Sequence, residues 1–267
     1  MHQHDSSLIA SGHYARKQIF SRSRLVAWSH GSRFDTARRL AAPHAGSRLL
    51  DYGCGDGTFL ALVHDLFPRA LGVDADSVQI SGCAERFASL EGLSFALAAH
   101  LEEPQHSGRY GVIVCMEVLE HCPADVQRRV VDDLARVCAP AGRVIVSVPI
   151  EIGPALAAKQ AARAFAAARG LSEYAARERY RPTELARMIL AGPRTSIPRE
   201  ETSVDLNDGT SMRFTGHKGF NWRALERLIE SRFAIERRLC SPMPILGTWL
   251  NSQVWFVLRL RVAKGKG

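Results

Sequence analysis

An acidic residue followed by glycines at alternate positions is the first combination in this sequence that could do chemistry: Asp51, Gly53, Gly55 and Gly57. The apolar run before the acid predicts a buried strand, and residues 58–67 after the glycines predict a helix. Glycine adopts backbone angles that other residues avoid and lets a ligand approach the main chain without a Cβ atom in the way. The turn could therefore hold a small molecule at the end of a sheet. The alternative is an ordinary tight turn, because short glycine motifs recur by chance.

A second acid, Asp74, closes another predicted strand 23 positions after Asp51 and narrows the class of ligand. A doubly wound fold places a carboxylate at this point, where it accepts hydrogen bonds from ribose hydroxyls. A nicotinamide-binding turn would have the spacing G-x-G-x-x-G, with a pyrophosphate on the following helix. Here the spacing is G-x-G-x-G behind an acid, which tolerates a cation better than a pyrophosphate. The sequence therefore favours a ligand that has a ribose and an ammonium group but no phosphate.

The elements that would position these residues are strands and helices in alternation, which predict a parallel sheet with helices on both faces. The strands are predicted at residues 49–51, 70–73, 93–98, 110–116 and 144–148. The helices between them are predicted at residues 58–67, 77–89 and 123–138, and residues 139–142 predict a turn. Two last strands, predicted at residues 233–239 and 251–262, have no helix between them. The predicted fold is α/β and doubly wound, with a mostly parallel seven-stranded sheet and an antiparallel C-terminal edge strand.

Both flanks of this core predict helical segments. Residues 1–45 predict a helical lid, basic and aromatic from Tyr14 onward and broken into two helices at Gly31-Ser32. Such a lid would expel water from the site when it closes. Residues 46–150 form the core, and a helical cap is predicted over residues 151–220, after the fifth strand. Residues 221–262 complete the core, and 263–267 are a loose tail.

The net charge of +8 is unevenly distributed along the chain. Residues 1–46 carry +5, residues 47–150 carry −6, residues 151–200 carry +4 and residues 201–267 carry +5. A basic flank can attract phosphate, nucleic acid or an anionic membrane surface. Solvated arginines on helix surfaces are the simpler interpretation.

The cysteines and the termini indicate the compartment. The six cysteines show neither CxxC pairs nor a zinc-ligand pattern with histidine, so neither a disulfide nor a metal site is predicted. The amino terminus lacks the basic and then apolar order of a secretory signal. The late apolar stretch 243–260 is interrupted by polar residues, which argues against a membrane span. We expect a cytoplasmic protein.

Together these features resemble the class I S-adenosylmethionine-dependent methyltransferases, mainly over residues 46–150. The family's first motif, an acid followed by GxGxG, matches Asp51 to Gly57, and its second-strand acid matches Asp74. The segment Tyr110–Pro123, which contains Met-Glu-Val-Leu-Glu-His, is similar to that of small-molecule methyltransferases, the ubiquinone-biosynthesis O-methyltransferases in particular. Residues 134–146 are similar to the family's helix and fifth strand.

The resemblance implies S-adenosylmethionine as cofactor. Asp51 would hold its amino group, Asp74 its ribose, and residues 116–118 would border the sulfonium. The family often has an aspartate near the adenine amine after the third strand, where this chain has Ala99-His100-Leu101. Main-chain groups or His100 would make that contact instead. The cofactor-binding residues that the resemblance implies are Asp51, Tyr52, Gly53, Cys54, Gly55, Gly57, Asp74, Ala75, His100, Leu101, Met116, Glu117 and Val118.

A base would help if the acceptor is a hydroxyl. His121 follows the fourth strand near the expected methyl group, and an unperturbed histidine, with a pKa near 6.5, suits proton removal at neutral pH. Fixing a loop or capping the next helix is its alternative role. Glu120, His30 and His217 are weaker candidates.

The predicted function is methyl transfer to a small-molecule acceptor, at oxygen rather than nitrogen. Methylation of nitrogen or of RNA is the alternative within enzymes, but RNA is disfavoured because no Asn/Asp-Pro-Pro-aromatic run follows the fourth strand. A non-catalytic binding module is the alternative outside enzymes. It would touch a membrane surface through the alanine-rich helix that carries Lys159 and Arg163. Peripheral membrane contact thus stays open, and no oligomeric state is predicted.

Overall fold

A seven-stranded sheet in the order β3-β2-β1-β4-β5-β9-β8 forms the centre of the fold. The computed structural model describes residues 24–168, 180–205, 209 and 211–261, so residues 1–23 of the predicted lid, residues 169–179, 206–208 and 210 of the predicted cap, and the tail lie outside it. Strands β1 to β5 are parallel, and β9 runs antiparallel to both of its neighbours, β5 and β8. The predicted fold class is confirmed. The sheet strands are β1 (Leu49–Tyr52), β2 (Ala70–Asp74), β3 (Leu93–Leu97), β4 (Tyr110–Met116), β5 (Cys138–Pro149), β8 (Phe233–Ser241) and β9 (Gln253–Leu260).

Helices cover both faces of this sheet, as its buried strands require. Successive residues of a strand point to opposite faces, so Leu50 and Ile113 pack in one apolar cluster while Leu49 and Val112 pack in another. Within the described residues, none of the helices has both the length and the apolar character needed to cross a membrane. The helices are α1 (Arg24–Ala41), α2 (Thr58–Val63), α3 (Ser77–Arg86), α4 (Ala124–Val137), α5 (Pro154–Ala168), α6 (Pro182–Ile189), α7 (Trp222–Ile229) and the short α8 (Gly247–Leu250).

Helix α1 runs without interruption through Gly31-Ser32, so the predicted break there is wrong. A single interior glycine costs a helix only about 1 kcal/mol relative to alanine. Burial of Ala37, Leu40 and Ala41 against the sheet outweighs that cost. The last turns of α1 are therefore fixed over the sheet.

Residues 139–142 belong to β5, so the predicted turn is also wrong. The register with β4 moves from Tyr110 opposite Cys138 to Val112 opposite Arg143, which is a bulge in β5. Gly142 permits it, because a Cβ there would lie 2.9 Å from the Tyr110 carbonyl oxygen. The strand thus starts earlier than the apolar pattern of residues 144–148 suggests.

The segment after β5 contains a two-stranded sheet as well as helices. Helices α5 and α6 lie in the region predicted to be a helical cap, but β6 (Glu201–Asp205) and β7 (Ser211–Thr215) pair as an antiparallel hairpin. The sequence analysis did not predict this hairpin. It matters for function, because β7 reaches the carboxyl end of the main sheet.

The strand order reverses between β1 and β4, which connect to opposite sides of the sheet. In open α/β sheets, ligands bind in the crevice at the carboxyl ends of the strands where the order reverses. The residues that follow β1, β2 and β4 therefore define the place to look for a site.

Candidate active site

The glycine turn, residues 53–57, follows β1 and faces two adjoining cavities. Gly53 has φ +78°, and a Cβ atom there would lie 2.2 Å from Cγ2 of Val118. Gly55 has φ +51° with open space where its Cβ would be, and it lines both cavities. Gly57 instead faces the rings of Phe87 and Phe95 and lines neither cavity. Two of the three glycines thus present bare main chain to a ligand, and the third serves packing.

Asp74, at the end of β2, holds the glycine turn in place. Its Oδ2 accepts a hydrogen bond from the Gly55 amide at 2.9 Å, and its Oδ1 accepts one from the Asp76 amide at 3.1 Å. Each carboxylate oxygen has a second lone pair. Asp74 also lines the larger cavity, so these lone pairs are available to a bound hydroxyl.

The smaller cavity, of about 180 Å³, lies between the glycine turn and helix α1. Arg33 and Phe34 of α1 form one wall, and the Phe34 ring stacks on that of Phe59 with the centroids 6.3 Å apart. Asp51 and Glu117 line the opposite side. The cavity is lined by three carboxylates, Asp51, Asp56 and Glu117, and one guanidinium, which suits a zwitterion because an ammonium and a carboxylate each find an opposite charge.

Asp51 is completely buried, which raises its pKa from the usual value near 4 to about 8, and the nearby charge of Asp74 adds to this. Burial disfavours the charged form of a carboxyl group, and a like charge does the same. Asp51 therefore tends to hold a proton unless a cation lies beside it. An ammonium group in the smaller cavity would supply that cation.

Glu117 follows β4 and separates the two cavities, since it lines both. It has φ +56°, the left-handed region that non-glycine residues rarely adopt. Three contacts hold it there: its amide donates to the Ser147 carbonyl at 3.0 Å, the Ser147 hydroxyl donates to Oε1 at 3.2 Å, and Arg33 lies 3.4 Å from Oε2. Strained backbone of this kind concentrates at functional sites.

The larger cavity, of about 590 Å³, is bounded by the ends of the strands, helix α4 and the hairpin. Tyr52, Ala75 and Val118, three of the predicted cofactor-binding residues, line it. His100 and Leu101 do not line it: His100 is exposed, Leu101 is buried in the core, and Ala98 occupies the cavity wall instead. This corrects the predicted contact at His100, because the 3-10 turn that begins at Ala98 directs His100 outward. The cavity's apolar wall includes Val118, Val126, Val130, Met212 and Phe214.

His121 lies at the boundary between the larger cavity and the hairpin. Its Nδ1 is 3.2 Å from the Thr215 carbonyl oxygen, and its ring stacks on Phe214 with the centroids 4.5 Å apart. A carbonyl only accepts hydrogen bonds, so Nδ1 carries the proton and Nε2 keeps its lone pair. Burial, followed by the charge of His217, lowers the pKa of His121 to about 4. The imidazole is therefore neutral at neutral pH.

Glu120 is fully buried beneath His121 and does not line the larger cavity. Neither of its carboxylate oxygens has a hydrogen-bond partner among the described residues, and Oε1 is 3.9 Å from Nε2 of His121. Burial, followed by the charge of Glu117, raises the pKa of Glu120 well above its usual range. Its main-chain oxygen is fixed from the other side by Thr215 and Arg199. Burying an unpaired negative charge is costly, so such a carboxyl group either holds a proton or lies beside a cation.

Glu120, His121 and His217 form a cluster that could hold a metal ion, although the sequence analysis predicted none. One ligand atom from each lies within 4.8 Å of the others. Neutral imidazoles and a carboxylate are ligands that divalent transition metals accept. His217, a weaker candidate in the sequence, thus joins the catalytic candidates, whereas the side chain of His30 lies outside the described part of the chain.

Several site residues have no counterpart in the sequence analysis: Arg33, Ala98, Ser147, Arg199, Met212, Phe214 and Thr215. The hairpin residues had a signal, since Asp208-Gly209 lies between two short runs that alternate polar and apolar residues. That dipeptide is typical of hairpin turns. Arg33 and Ser147 had none, because their roles depend on contacts across the sheet.

Comparison with known proteins gives matches for both the sequence and the fold. A family described as a methyltransferase domain matches residues 27–191. A ubiquinone biosynthesis O-methyltransferase from Ralstonia nicotianae is 34% identical over 113 residues, which are 40% of this chain and 44% of that protein. The chain thus spans less than half the length of this curated relative.

Two solved structures share the fold at low sequence identity. The PH0226 protein from Pyrococcus horikoshii OT3 superimposes with a TM-score of 0.60 at 15% identity, over 93% of this chain and 96% of that one. The N-methyltransferase NodS from Bradyrhizobium japonicum WM9, solved with S-adenosyl-L-homocysteine, gives 0.54 at 12% identity, over 97% and 98%. At these identities the likeness shows the fold alone. The family match covers more than half of the chain, so this protein belongs to the methyltransferase domain family.

Proposed function

We propose that this enzyme transfers the methyl group of S-adenosylmethionine to a hydroxyl oxygen of a small molecule. The observation that carries the proposal is the neutral His121 imidazole, whose unprotonated Nε2 lies next to the buried Glu120 carboxyl at the wall of the larger cavity. A hydroxyl must lose its proton as it gains the methyl group, whereas the free base of an amine has a lone pair ready to react. The name of the Ralstonia relative agrees with transfer to oxygen.

The residues of the smaller cavity fit the methionine part of the cofactor. The bare main chain at Gly55 leaves room that a side chain would fill. Asp51 would hold the ammonium group and Arg33 the carboxylate, since each faces the cavity with the opposite charge. Glu117, between the cavities, would lie near the sulfonium.

The strand ends at the larger cavity fit the nucleoside part. Asp74 would accept hydrogen bonds from the ribose hydroxyls with the lone pairs that the glycine turn leaves available. Ala75 and Ala98 would border the adenine. The rest of the cavity, toward Met212 and Phe214, would take the acceptor.

The chemistry then depends mainly on position. Displacement at an activated methyl carbon proceeds when the reacting atoms are held about 3 to 3.5 Å apart and in line. In our proposal His121 accepts the acceptor's proton at Nε2, with the imidazole fixed by the Thr215 carbonyl and the Phe214 ring. A base with a pKa of about 4 is weaker than free imidazole, so a phenol suits it better than an aliphatic alcohol.

A divalent cation held by Glu120, His121 and His217 is a second arrangement of the same site. Its support is the pair of Glu120 oxygens, which are buried and lack partners among the described residues. When bound, such a cation would lower the pKa of a coordinated hydroxyl. In that case Glu120, His121 and His217 would hold the cation, the cation would orient the acceptor hydroxyl and ease the loss of its proton to solvent, and His121 would not act as the base.

A methyl-transfer screen tests the proposal. The protein, chelator-treated or supplied with Mg²⁺ or Zn²⁺, would be incubated with labelled cofactor and matched phenols, aliphatic alcohols, amines and RNA, and products identified by mass spectrometry. We expect phenol products, with transfer reduced in His121→Asn. The control is His106→Asn, which alters another partly buried histidine that contacts Tyr110 away from the site. Transfer to amines alone would overturn the proposal.

A further inference from the structure

We propose that the loop between β8 and β9, residues 242–252, docks this enzyme on the surface of an anionic lipid bilayer. This inference concerns a surface outside both cavities and does not depend on the identity of the acceptor. Three features support it: the loop's exposed apolar side chains, its fixed conformation, and its lack of charge on a chain whose C-terminal part is basic.

The loop carries the densest group of exposed apolar side chains in the described structure. Ile245 is 99% exposed, Trp249 67% and Leu250 54%, and Met243 and Leu246 are also exposed. These five lie within eight consecutive residues. Single exposed apolar residues are ordinary on protein surfaces, but a contiguous group marks a site of interaction with a protein or a membrane.

The loop holds a defined conformation that presents these side chains to solvent. Asn251 is buried, accepts a hydrogen bond from the Met243 amide at 2.7 Å, and donates to the carbonyls of Met243 and Gly247, each at 2.7 Å. At the base of the loop, the indole of the buried Trp255 donates to the Ser241 hydroxyl at 2.9 Å. The apolar side chains are therefore displayed by a preorganised scaffold, which reduces the entropy lost on docking.

The loop is uncharged, and the C-terminal part of the chain is basic. No charged residue occurs from Leu239 to Leu258. Arg237 and Arg238 precede this stretch on β8, whereas Arg259, opposite Ala234, lies at the far end of the strand pair. Residues 151–200 and 201–267 together carry a net charge of +9. An uncharged apolar tip on a basic body matches a bilayer, where tryptophan prefers the headgroup region and basic groups attract anionic lipids.

The alanine-rich helix α5 offers less to a membrane than the loop does. It was the docking element in the alternative interpretation of the sequence, but its Leu156 is buried in the core and Lys159 is paired with Glu151 at 2.8 Å. Helix α5 packs instead against α8, which carries Trp249 and Leu250. The helix supports the docking surface, and the loop forms it.

A bilayer fits this surface better than a second copy of the chain. Ile245 is almost fully exposed, so it projects from the body and needs a partner that deforms or is concave. The five side chains present on the order of 500 Å² of surface, less than the roughly 800 Å² that each partner of a stable interface buries. Shallow insertion into a bilayer has no such requirement.

Vesicle co-sedimentation with the whole chain tests the proposal. We expect binding to vesicles of phosphatidylcholine and phosphatidylglycerol, weaker binding to phosphatidylcholine alone, and at least about tenfold weaker partitioning of Ile245→Ser/Trp249→Ser. The matched control is Leu190→Ser, which changes an exposed leucine outside the loop and should bind like the wild type. Cofactor affinity should be the same for all three proteins, which shows that they are folded. Equal sedimentation of the double variant and the wild type, or no binding by the wild type, would overturn the proposal.

Tryptophan fluorescence supplies an independent measurement. Of the four tryptophans, Trp222 and Trp255 are buried and Trp28 and Trp249 are exposed, so Trp28→Phe leaves Trp249 as the sole exposed indole. We expect brominated anionic lipids to quench this variant and shift its emission to the blue. Sedimentation velocity without vesicles tests the alternative that a second copy of the chain binds the loop. A dimer that dissociates in Ile245→Ser/Trp249→Ser would show that the loop serves self-association and would overturn docking on lipid.

Discussion

Arg33 of helix α1 lies 3.4 Å from the Glu117 carboxylate that follows β4, so the helix is tied across the smaller cavity to the centre of the sheet. We assign the cofactor carboxylate to this guanidinium and expect Arg33→Gln to weaken cofactor binding at least about tenfold. Arg38→Gln is the control, because Arg38 belongs to the same helix but pairs with Asp65. Calorimetric titration with S-adenosylhomocysteine measures both, and equal affinities would remove Arg33 from the site.

Asp51 should make cofactor binding depend on pH. Its pKa of about 8 means that the cofactor-free protein holds a proton there at pH 7, which an ammonium must displace. Apparent affinity should therefore increase as the pH rises from 6 to 8, by at most about tenfold per pH unit. Titrations in buffers with different ionisation enthalpies would detect the released proton. If the measured enthalpy of cofactor binding were the same in every buffer, no proton would be released and this role of Asp51 would be contradicted.

The same group should destabilise the cofactor-free fold. In the unfolded chain Asp51 ionises near its usual pKa, so between about pH 4 and pH 8 the folded state binds more protons and loses stability as the pH rises. Asp51→Asn removes this loss of stability with rising pH, because asparagine does not ionise. We expect it to raise the melting temperature of the cofactor-free protein at pH 8 more than at pH 5, while weakening cofactor binding. Thermal melts of the variant and the wild type at pH 5 and pH 8 test this prediction. An equal change in melting temperature at both pH values would refute it.

Gly53 cannot carry a side chain without moving the segment after β4. We expect Gly53→Ala to cost about 1–3 kcal/mol of stability, since the new Cβ would lie 2.2 Å from Val118 in a left-handed backbone. The double variant Gly53→Ala/Val118→Ala should recover part of the loss. Gly82→Ala, in helix α3 with open space around it, should be neutral or stabilising. Urea denaturation compares the four proteins, and a harmless Gly53→Ala would disprove the predicted contact.

The role proposed for His121 predicts that its substitution affects turnover but not cofactor binding. His121→Asn should lower kcat by about 10²–10⁴ and leave the cofactor Kd unchanged, because His121 lies on the hairpin side of the larger cavity, which the proposal assigns to the acceptor. Elemental analysis of the purified protein, before and after His217→Ala, distinguishes the two arrangements of the site. Bound metal that disappears in the variant supports the cation, and a metal-free protein that is active in chelator supports the proton acceptor.

The sequence was sufficient for the sheet and the glycine turn, because both depend on local patterns. Asp51, Gly53 and Asp74 lie in a strand–turn–helix and a second strand that the apolar runs predict directly. His100 was misplaced because one 3-10 turn decides which way a side chain faces, and no periodic pattern records that. The break at Gly31 was misplaced because buried contacts of α1 outweigh the weak preference of a single glycine.

The contacts that complete the site come from distant parts of the chain. Thr215 contacts His121 and Glu120 from more than 90 residues away, and Ser147 supports Glu117 from 30 residues away. Such pairs depend on how the strands are ordered in the sheet and how the hairpin folds back. Local sequence patterns predict the helices and strands but not these long-range contacts between them.

In the proposed assignment, separate stretches of sequence bind the methyl donor and the acceptor, and the hairpin of β6 and β7 belongs to the acceptor side. Strand β7 lies beyond the matched family region, which ends at residue 191, yet its residues 211–214 line the larger cavity and Thr215 fixes the turn that carries His121. The residues to which we assign donor binding lie upstream of β7, within residues 33–118. Exchange of this short hairpin between relatives is thus a route by which one methyl-donor scaffold could acquire different acceptors.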